Sequence, residues 1–157
     1  MDGARRCLAE KGYARTTARD IVAASGANLA SIGYHYGSKE ALLNQALIQS
    51  VREWGDRLAA TLAEAGPEQV WGRLVDLIGS DRRLLAAQFE GLAQAEHTED
   101  VRQVLAEERP FGHLDPRVGA LYQALLTGIM AQWLVDPATA LTGDEVAEAL
   151  RVIGRGA

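Results

Sequence analysis

Thr17-Ala-Arg-Asp-Ile-Val-Ala-Ala-Ser-Gly-Ala-Asn-Leu-Ala-Ser-Ile-Gly-Tyr-His-Tyr-Gly-Ser-Lys-Glu-Ala-Leu-Leu43 is the stretch that decides the fold. Thr17 with Asp20 three residues on has the spacing of a capping box, in which two side chains satisfy the free amides of a helix start. That helix closes at Gly26, whose missing Cβ permits a left-handed turn around Ser25-Gly26-Ala27. A second helix opens on Asn28, another N-cap type. Two short helices joined by a tight glycine turn make the geometry that seats the second helix in a DNA major groove. Asn28 and Leu29 lie at the N-terminal end of this helix, and Ser31 and Tyr34 near its middle, so these four are the candidate base-contacting residues. A hydroxyl bonds several bases and an apolar atom touches a thymine methyl, so none of them alone fixes a sequence strongly.

The rest of the chain reads as helix between breakers, with no alternating pattern longer than a few residues. The expected class is all-α, with about nine helices: a three-helix head and a helical body. A first helix runs to about Lys11 and ends at Gly12. Ser38 can cap the fourth, whose Leu43, Leu47, Val51, Trp54, Leu58 and Leu62 keep one stripe until Gly66-Pro67 stops it. A fifth spans about 68–78, with Val70, Leu74, Leu77 and Ile78 inward. A sixth starts near Asp81 with Leu85, Phe89 and Leu92 on one side, and a seventh is marked by Val101, Val104 and Leu105. The eighth lies between Pro116 and Pro137. The ninth opens on the box Thr142-Gly-Asp-Glu145 and buries Val146, Leu150 and Ile153. Ile21, Val22, Ile32 and Tyr36 are assigned to the core of the head.

Bulk properties fit this reading. The 157 residues are 48% hydrophobic and 24% charged, ordinary for a globular chain. The net charge of −5 divides unevenly. Residues 1–55 hold seven basic groups (Arg5, Arg6, Lys11, Arg15, Arg19, Lys39, Arg52) and five acidic ones (Asp2, Glu10, Asp20, Glu40, Glu53), a balance of +2 that leaves −7 for the remainder. A mildly basic head on an acidic body suits a modular DNA binder. No apolar run is expected to reach the ~20 residues of a membrane span, and no secretory signal is visible at Met1. Cys7 stands alone, which excludes a disulfide framework, makes a reducing cytoplasm the expectation and fits a small buried residue in the first helix.

Gly12-Tyr13, Thr17, Asp20-Ile21, Gly26, Ser31-Ile32, Tyr34-His35-Tyr36 and Ser38-Lys39-Glu40-Ala41-Leu42-Leu43 together resemble the N-terminal domain of tetracycline-repressor (TetR) family regulators. The resemblance covers roughly residues 4–47 at several fixed spacings. Gly128 through Pro137 resembles the penultimate helix of many members. The family usually carries Tyr where this chain has Gly33 and an apolar residue where it has Tyr36, so Tyr34 is expected to take over part of the contact that Gly33 lacks. The resemblance implies that His35 and Lys39 touch phosphates, with Thr17 adding its hydroxyl or a helix-start amide. It also implies a DNA-binding domain over 1–47 and a ligand-binding and dimerisation domain over 48–157. The first helix lacks the basic lead-in usual in the family, and Glu107 to Pro116 is shorter than the long seventh helix and loop found there. Residues omitted near both points account for this better than natural shortening, given the abrupt break at Arg109-Pro110.

In the body, Val118, Leu121, Tyr122, Leu125, Ile129 and Trp133 form one broad stripe on the eighth helix. Ala120, Ala124, Gly128 and Ala131 lie opposite. A helix apolar or small nearly all round must be buried on both sides. With Val146 and Leu150 of the ninth helix, the small-residue side is the candidate dimer contact, which makes the expected assembly a homodimer. Trp54, Trp71, Gln88, Phe89, Tyr122 and Trp133 supply apolar walls with a few polar groups, a description that fits a small-molecule pocket and an ordinary core alike. Glu96-His97-Thr98-Glu99-Asp100 falls in a helix-to-helix turn where consecutive residues cannot easily converge on one ion, so no metal site and no cofactor are expected. No Gly-x-Ser-x-Gly and no phosphate-cradling Gly-rich loop is present. The expected function is a regulator that binds double-stranded DNA, is released by a small-molecule effector, and is neither an enzyme nor a membrane protein. The alternative is a helical enzyme or cofactor-binding protein whose head only resembles a DNA-binding motif.

Overall fold

A computed structural model describes residues 1–66 and 68–155; the helix-stopping role read for Pro67 lies outside the described residues. Nine helices occur among them and no strand: α1 Asp2–Lys11, α2 Ala18–Ser25, α3 Leu29–Tyr36, α4 Lys39–Glu64, α5 Val70–Ser80, α6 Arg82–Ala95, α7 Glu99–Glu107, α8 Pro116–Val135 and α9 Gly143–Gly154. The helix boundaries follow local chemistry. Both capping boxes form, at Thr17–Asp20 and Thr142–Glu145. Gly12, Gly26 and Gly37 end α1, α2 and α3 at φ of 77°, 69° and 80°, values that L side chains rarely adopt. Asp115 caps α8, with Pro116 at its first position, where a missing N–H costs nothing.

The described residues form two compact units. The first holds 1–54 and 86–108, the second 55–85 and the described residues from 109 onward. Residues 86–108, which the sequence reading assigns to the second domain, therefore pack with the N-terminal helices. In the first unit Ala4, Cys7, Leu8, Ile21, Ile32, Leu42, Leu43, Ala46 and Leu47 form one buried cluster, with Val22 and Tyr36 partly buried against it. Burial raises the Cys7 thiol above its ordinary pKa, which keeps it protonated and inert. The buried residues of α6 are Leu84, Leu85, Ala87, Gln88 and Gly91. The expected Leu85–Phe89–Leu92 face is rotated from this, and Leu92 is 49% exposed. The physical reason is Gln88: its Nε2 donates to the Ser50 carbonyl at 3.3 Å, so a polar residue turns inward where the pattern places apolar ones.

In the second unit α5 packs against α8 and α9. Its inward face is Trp71, Leu74, Val75 and Ile78, whereas Val70 and Leu77 are only half-buried. The start of α9 lies so close to α5 that a Cβ on Gly143 would sit 2.3 Å from the Gly72 Cα. This approach carries Val146 into the chain's own core at 2% exposure, which removes it from the expected dimer contact. Ile153, expected inside, is 68% exposed.

The own-chain face of α8 is Gly119, Leu126, Ile129 and Met130, not the whole predicted stripe; Val118 and Leu121 are exposed. By length and composition alone α8 is nevertheless long and apolar enough to cross a membrane, with mean hydropathy 1.4 over an 18-residue stretch of which 17% is buried. Gln123, Thr127 and Gln132 interrupt any continuous apolar run, yet alanines and leucines keep the average high.

The Gly143 contact makes a direct prediction. Gly143→Ala must push backbone against backbone and should cost about 1–3 kcal/mol of stability. Gly128→Ala, whose Cβ would meet nothing within 4 Å of its own chain, should instead gain up to about 1 kcal/mol from helix propensity. Urea midpoints of the two variants check this, and equal midpoints would refute the close approach.

Candidate nucleic-acid interface

The head is organised by its turns. At the start of α2 the Thr17 N–H and hydroxyl donate to Asp20 Oδ2 at 2.8 and 2.7 Å, and the Asp20 N–H donates back to Thr17 Oγ1 at 3.2 Å. Lys11 Nζ donates to the other carboxylate oxygen at 2.5 Å. That bond, then those from Thr17, hold the Asp20 carboxyl well below its ordinary range. The Thr17 hydroxyl proton is thus already committed. What this helix start still offers an anion is the pair of first-turn amides of Ala18 and Arg19, which the box leaves over.

The turn between α1 and α2 is fixed from several sides. Thr16 is 1% exposed, and its hydroxyl donates to the Gly12 carbonyl at 2.7 Å. The Tyr13 N–H donates to Glu90 of α6 at 3.2 Å, and its phenol donates to Asn44 Oδ1 of α4 at 2.8 Å. Lys39 Nζ donates to the Thr16 carbonyl at 3.1 Å and lies 3.2 Å from Glu40. Arg5 pairs with Glu53 of α4, and Arg6 donates to the Ala24 carbonyl, which ties α1 to α2.

On this frame α3 is held by Ile32, which is buried, and by half-buried Tyr36. At about 100° per residue, Tyr34 falls roughly 160° away from both, so it points straight out of the head. It is 86% exposed and meets His35 edge-on at 4.9 Å. Leu29 is 54% exposed, His35 is exposed, and Ser31 is half-buried beside them. Asn28 Oδ1 accepts the Ala30 N–H at 2.9 Å, which uses one of its two lone pairs and leaves the side-chain NH2 as a donor. Ser38 caps the first turn of α4 by accepting the Ala41 N–H at 3.0 Å. The candidate residues therefore gather on α3 and its flanks, except that Lys39 is half-buried and engaged within the head. Sequence reasoning passed over Arg19. It is exposed on the first turn of α2, and the basic surplus of the head was the signal that could have singled it out.

The six candidate effector residues divide between the units. Trp54, Gln88 and Phe89 belong to the first, with Trp54 and Gln88 buried. Trp71, Tyr122 and Trp133 belong to the second. There Tyr122 stands edge-on between Trp71 and Phe111, at ring separations of 5.6 and 5.7 Å. The Trp133 ring covers Gly79, and its Nε1 donates to the Leu141 carbonyl at 3.3 Å. Of the candidate dimer residues, Ala120, Ala124 and Gly128 are exposed, Ala131 and Leu150 are half-buried, and Val146 is internal.

Residues 1–46 match the model of "Bacterial regulatory proteins, tetR family". The chain is 38% identical over 95 residues to the HTH-type transcriptional repressor Rv1474c of Mycobacterium tuberculosis, covering 59% of this chain and 43% of that protein. It is 32% identical over 111 residues to the HTH-type transcriptional regulator TtgR of Pseudomonas putida, covering 71% and 49%. The match therefore spans less than half the length of either relative. Among solved structures, the multidrug binding protein EbrR complexed with imidazole superposes with a TM-score of 0.71 at 26% identity, over 96% of this chain and 89% of that one. A regulator from Streptomyces coelicolor A3(2) superposes at 0.77 with 21% identity, over 97% and 94%. The match to the tetR family of bacterial regulatory proteins lies in the N-terminal head, and the relatives named above are transcriptional regulators.

The capping box carries a pH prediction. The folded-state pKa of Asp20 is depressed, so its contribution to stability is complete above the ordinary aspartate value near ~4 and is lost as the pH falls through the folded value. Asp20→Asn should therefore unfold at a lower temperature than the parent at pH 7, with the two converging towards pH 2. Thermal scans across that window check it, and a difference independent of pH would show that the carboxylate charge plays no part.

Proposed function

We propose that this chain is a cytoplasmic, homodimeric transcriptional regulator, a repressor released from its operator by a small organic molecule, and not an enzyme. One observation carries the reading. A capped helix–turn–helix presents Tyr34, Leu29, His35 and the edge of Ser31 outward from the head, and α2 of the same unit begins with uncommitted amides and the exposed Arg19. In this reading Asn28, Leu29, Ser31 and Tyr34 meet base edges. Arg19, His35 and the amides beside Thr17 meet phosphates, which position the head without specifying sequence. Lys39 acts chiefly by holding the α1–α2 turn in place.

Homodimerisation is supported by the outer side of α8. Leu121, Ala124, Gly128 and Val135 recur there at helical spacing and are exposed, with Val152 and Ile153 of α9 exposed as well. Apolar surface of this kind is stabilised by burial against another molecule. A second copy offers the matching surface under two-fold symmetry. Two heads must then meet successive major grooves, about 34 Å apart.

For the effector, Trp71 and Tyr122 carry the proposal, because the ring of Trp133 and the amide of Gln88 are already used in packing. EbrR, the neighbour that binds imidazole and proflavin, supports a small planar molecule as the class. Response needs only a difference in effector affinity between two states, and about 3 kcal/mol lowers operator affinity roughly a hundredfold. Within the first unit the bond from Tyr13 N–H to Glu90 links α6 to the head and is available to transmit such a change.

Two experiments test the proposal. The protein should enrich a defined sequence from a random duplex pool, and Ser31→Ala should weaken the enriched duplex while leaving random DNA nearly unaffected. Equal weakening of both would make Ser31 a positioning residue. Gly128→Leu should raise the dimer dissociation constant by orders of magnitude, since overpacking costs about 1–3 kcal/mol at each of two symmetric positions. Sedimentation at micromolar concentration reads this, and an intact dimer would show that α8 packs some other way.

A further inference from the structure

Most glycines that punctuate this fold have a reason inside the chain. Gly12, Gly26 and Gly37 have positive φ, and Gly3, Gly91, Gly119 and Gly143 sit where a Cβ would press on a neighbour at 3.3 Å or less. Gly33 has neither reason. It lies inside α3, its φ is not in the left-handed region, and a Cβ built on it meets nothing within 4 Å. It is exposed, next to the 86% exposed Tyr34. Inside a helix of eight residues, glycine is also the poorest choice short of proline, because it loses the most backbone freedom. The fold would accept any small side chain here and gain from it.

We propose that Gly33 marks the closest approach of α3 to the DNA duplex and is a specificity-determining position of this head. Without a side chain at 33 the helix main chain can sit deeper in the major groove, where backbone approach to base edges requires glycine. That depth brings Tyr34, which lies between Gly33 and Ser31 around the helix, and Ser31 beyond it within reach of the bases. Gly128 is open in the same way and falls on the surface assigned to a second copy, whereas the other open helical glycines, Gly72 and Gly154, lie against the Gly143 backbone and at the last residue of α9. The inference rests on the reading of the head as a DNA binder.

The test is Gly33→Ala, assayed on a duplex that the wild-type protein has enriched from a random pool. Helix propensity predicts a rise in Tm of roughly 2–4 °C. Affinity for the enriched duplex should fall about tenfold or more, while random-sequence DNA, held through phosphates, stays within about twofold. Gly33→Leu should lose more on the enriched duplex than Gly33→Ala. A lower Tm for Gly33→Ala would show that the fold itself needs the glycine and would overturn the proposal. Unchanged affinity for the enriched duplex would overturn it as well, with the DNA-binding reading left standing. If the wild-type protein enriches no sequence, the reading of the head fails and the inference fails with it.

Discussion

The turn from Gly12 to Thr17 is a piece of irregular backbone held against the core of the first unit, and buried backbone groups must find partners. Thr16 is almost fully enclosed, so neither its carbonyl nor its hydroxyl can rely on water. The partners come from elsewhere in the chain: Lys39 for the Thr16 carbonyl, Gly12 for the Thr16 hydroxyl, Glu90 for the Tyr13 amide and Asn44 for the Tyr13 phenol. Satisfying one turn therefore fixes α1, the start of α4 and the middle of α6 together. The α2–α3 pair follows, because α2 begins where this turn ends and its capping box is tied back to α1 through Lys11. A head built this way presents α3 at a defined angle. Phosphate contacts, which carry no sequence information, can then set the register for the few side chains that do.

The second unit obeys a different constraint. Its internal packing uses only one side of α8, and the remaining side carries no charge between Val118 and Val135, its polar residues being Gln123, Thr127 and Gln132. A helix of such composition is stable in water only when its outer side is covered, and the same composition satisfies the length and hydropathy of a membrane span. The homodimer proposed above suits the exposed residues, which include Gly128 and two alanines. Small residues bring two helix backbones close together, so such a surface selects a partner by shape more than by hydrophobicity.

Legibility in the sequence tracked how local the physics was. Caps and left-handed glycines depend on three or four neighbouring residues, and Thr17–Asp20, Asn28, Gly26 and Thr142–Glu145 all formed as their spacing predicts. The core of the head was legible for the same reason, since Ile32 and Tyr36 define one side of a short helix. The misread faces lay where a distant contact chose among several apolar sides. Gln88 reads as a surface residue until Ser50 is placed beside it, which rotates α6 away from the Leu85–Phe89–Leu92 face. Val146 reads as an outward position until the Gly72–Gly143 approach draws α9 inward. Lys39 reads as a free cation because its partner is a backbone carbonyl, which no pattern of side chains reveals.

The chemistry of α3 limits what kind of DNA reader this head can be. It presents no Arg, Lys, Gln or Asp on its outer side, and Asn28, the residue best suited to adenine, spends one carbonyl lone pair on the Ala30 amide. No residue of α3 can form a bidentate pair with guanine, and Asn28, with that lone pair already used, is the single side chain left for adenine. Tyr34, Leu29 and Ser31 offer a phenol, an apolar tip and a small hydroxyl, each compatible with more than one base. Selectivity must then come from fit. In the proposed reading, how deep α3 sits, whether thymine methyls meet Leu29 and Tyr34, and how far the duplex deforms to meet the heads of a dimer all become terms in the specificity. Each of those terms depends on the rigidity of the head, and so on the turn that Lys39, Asn44 and Glu90 hold in place.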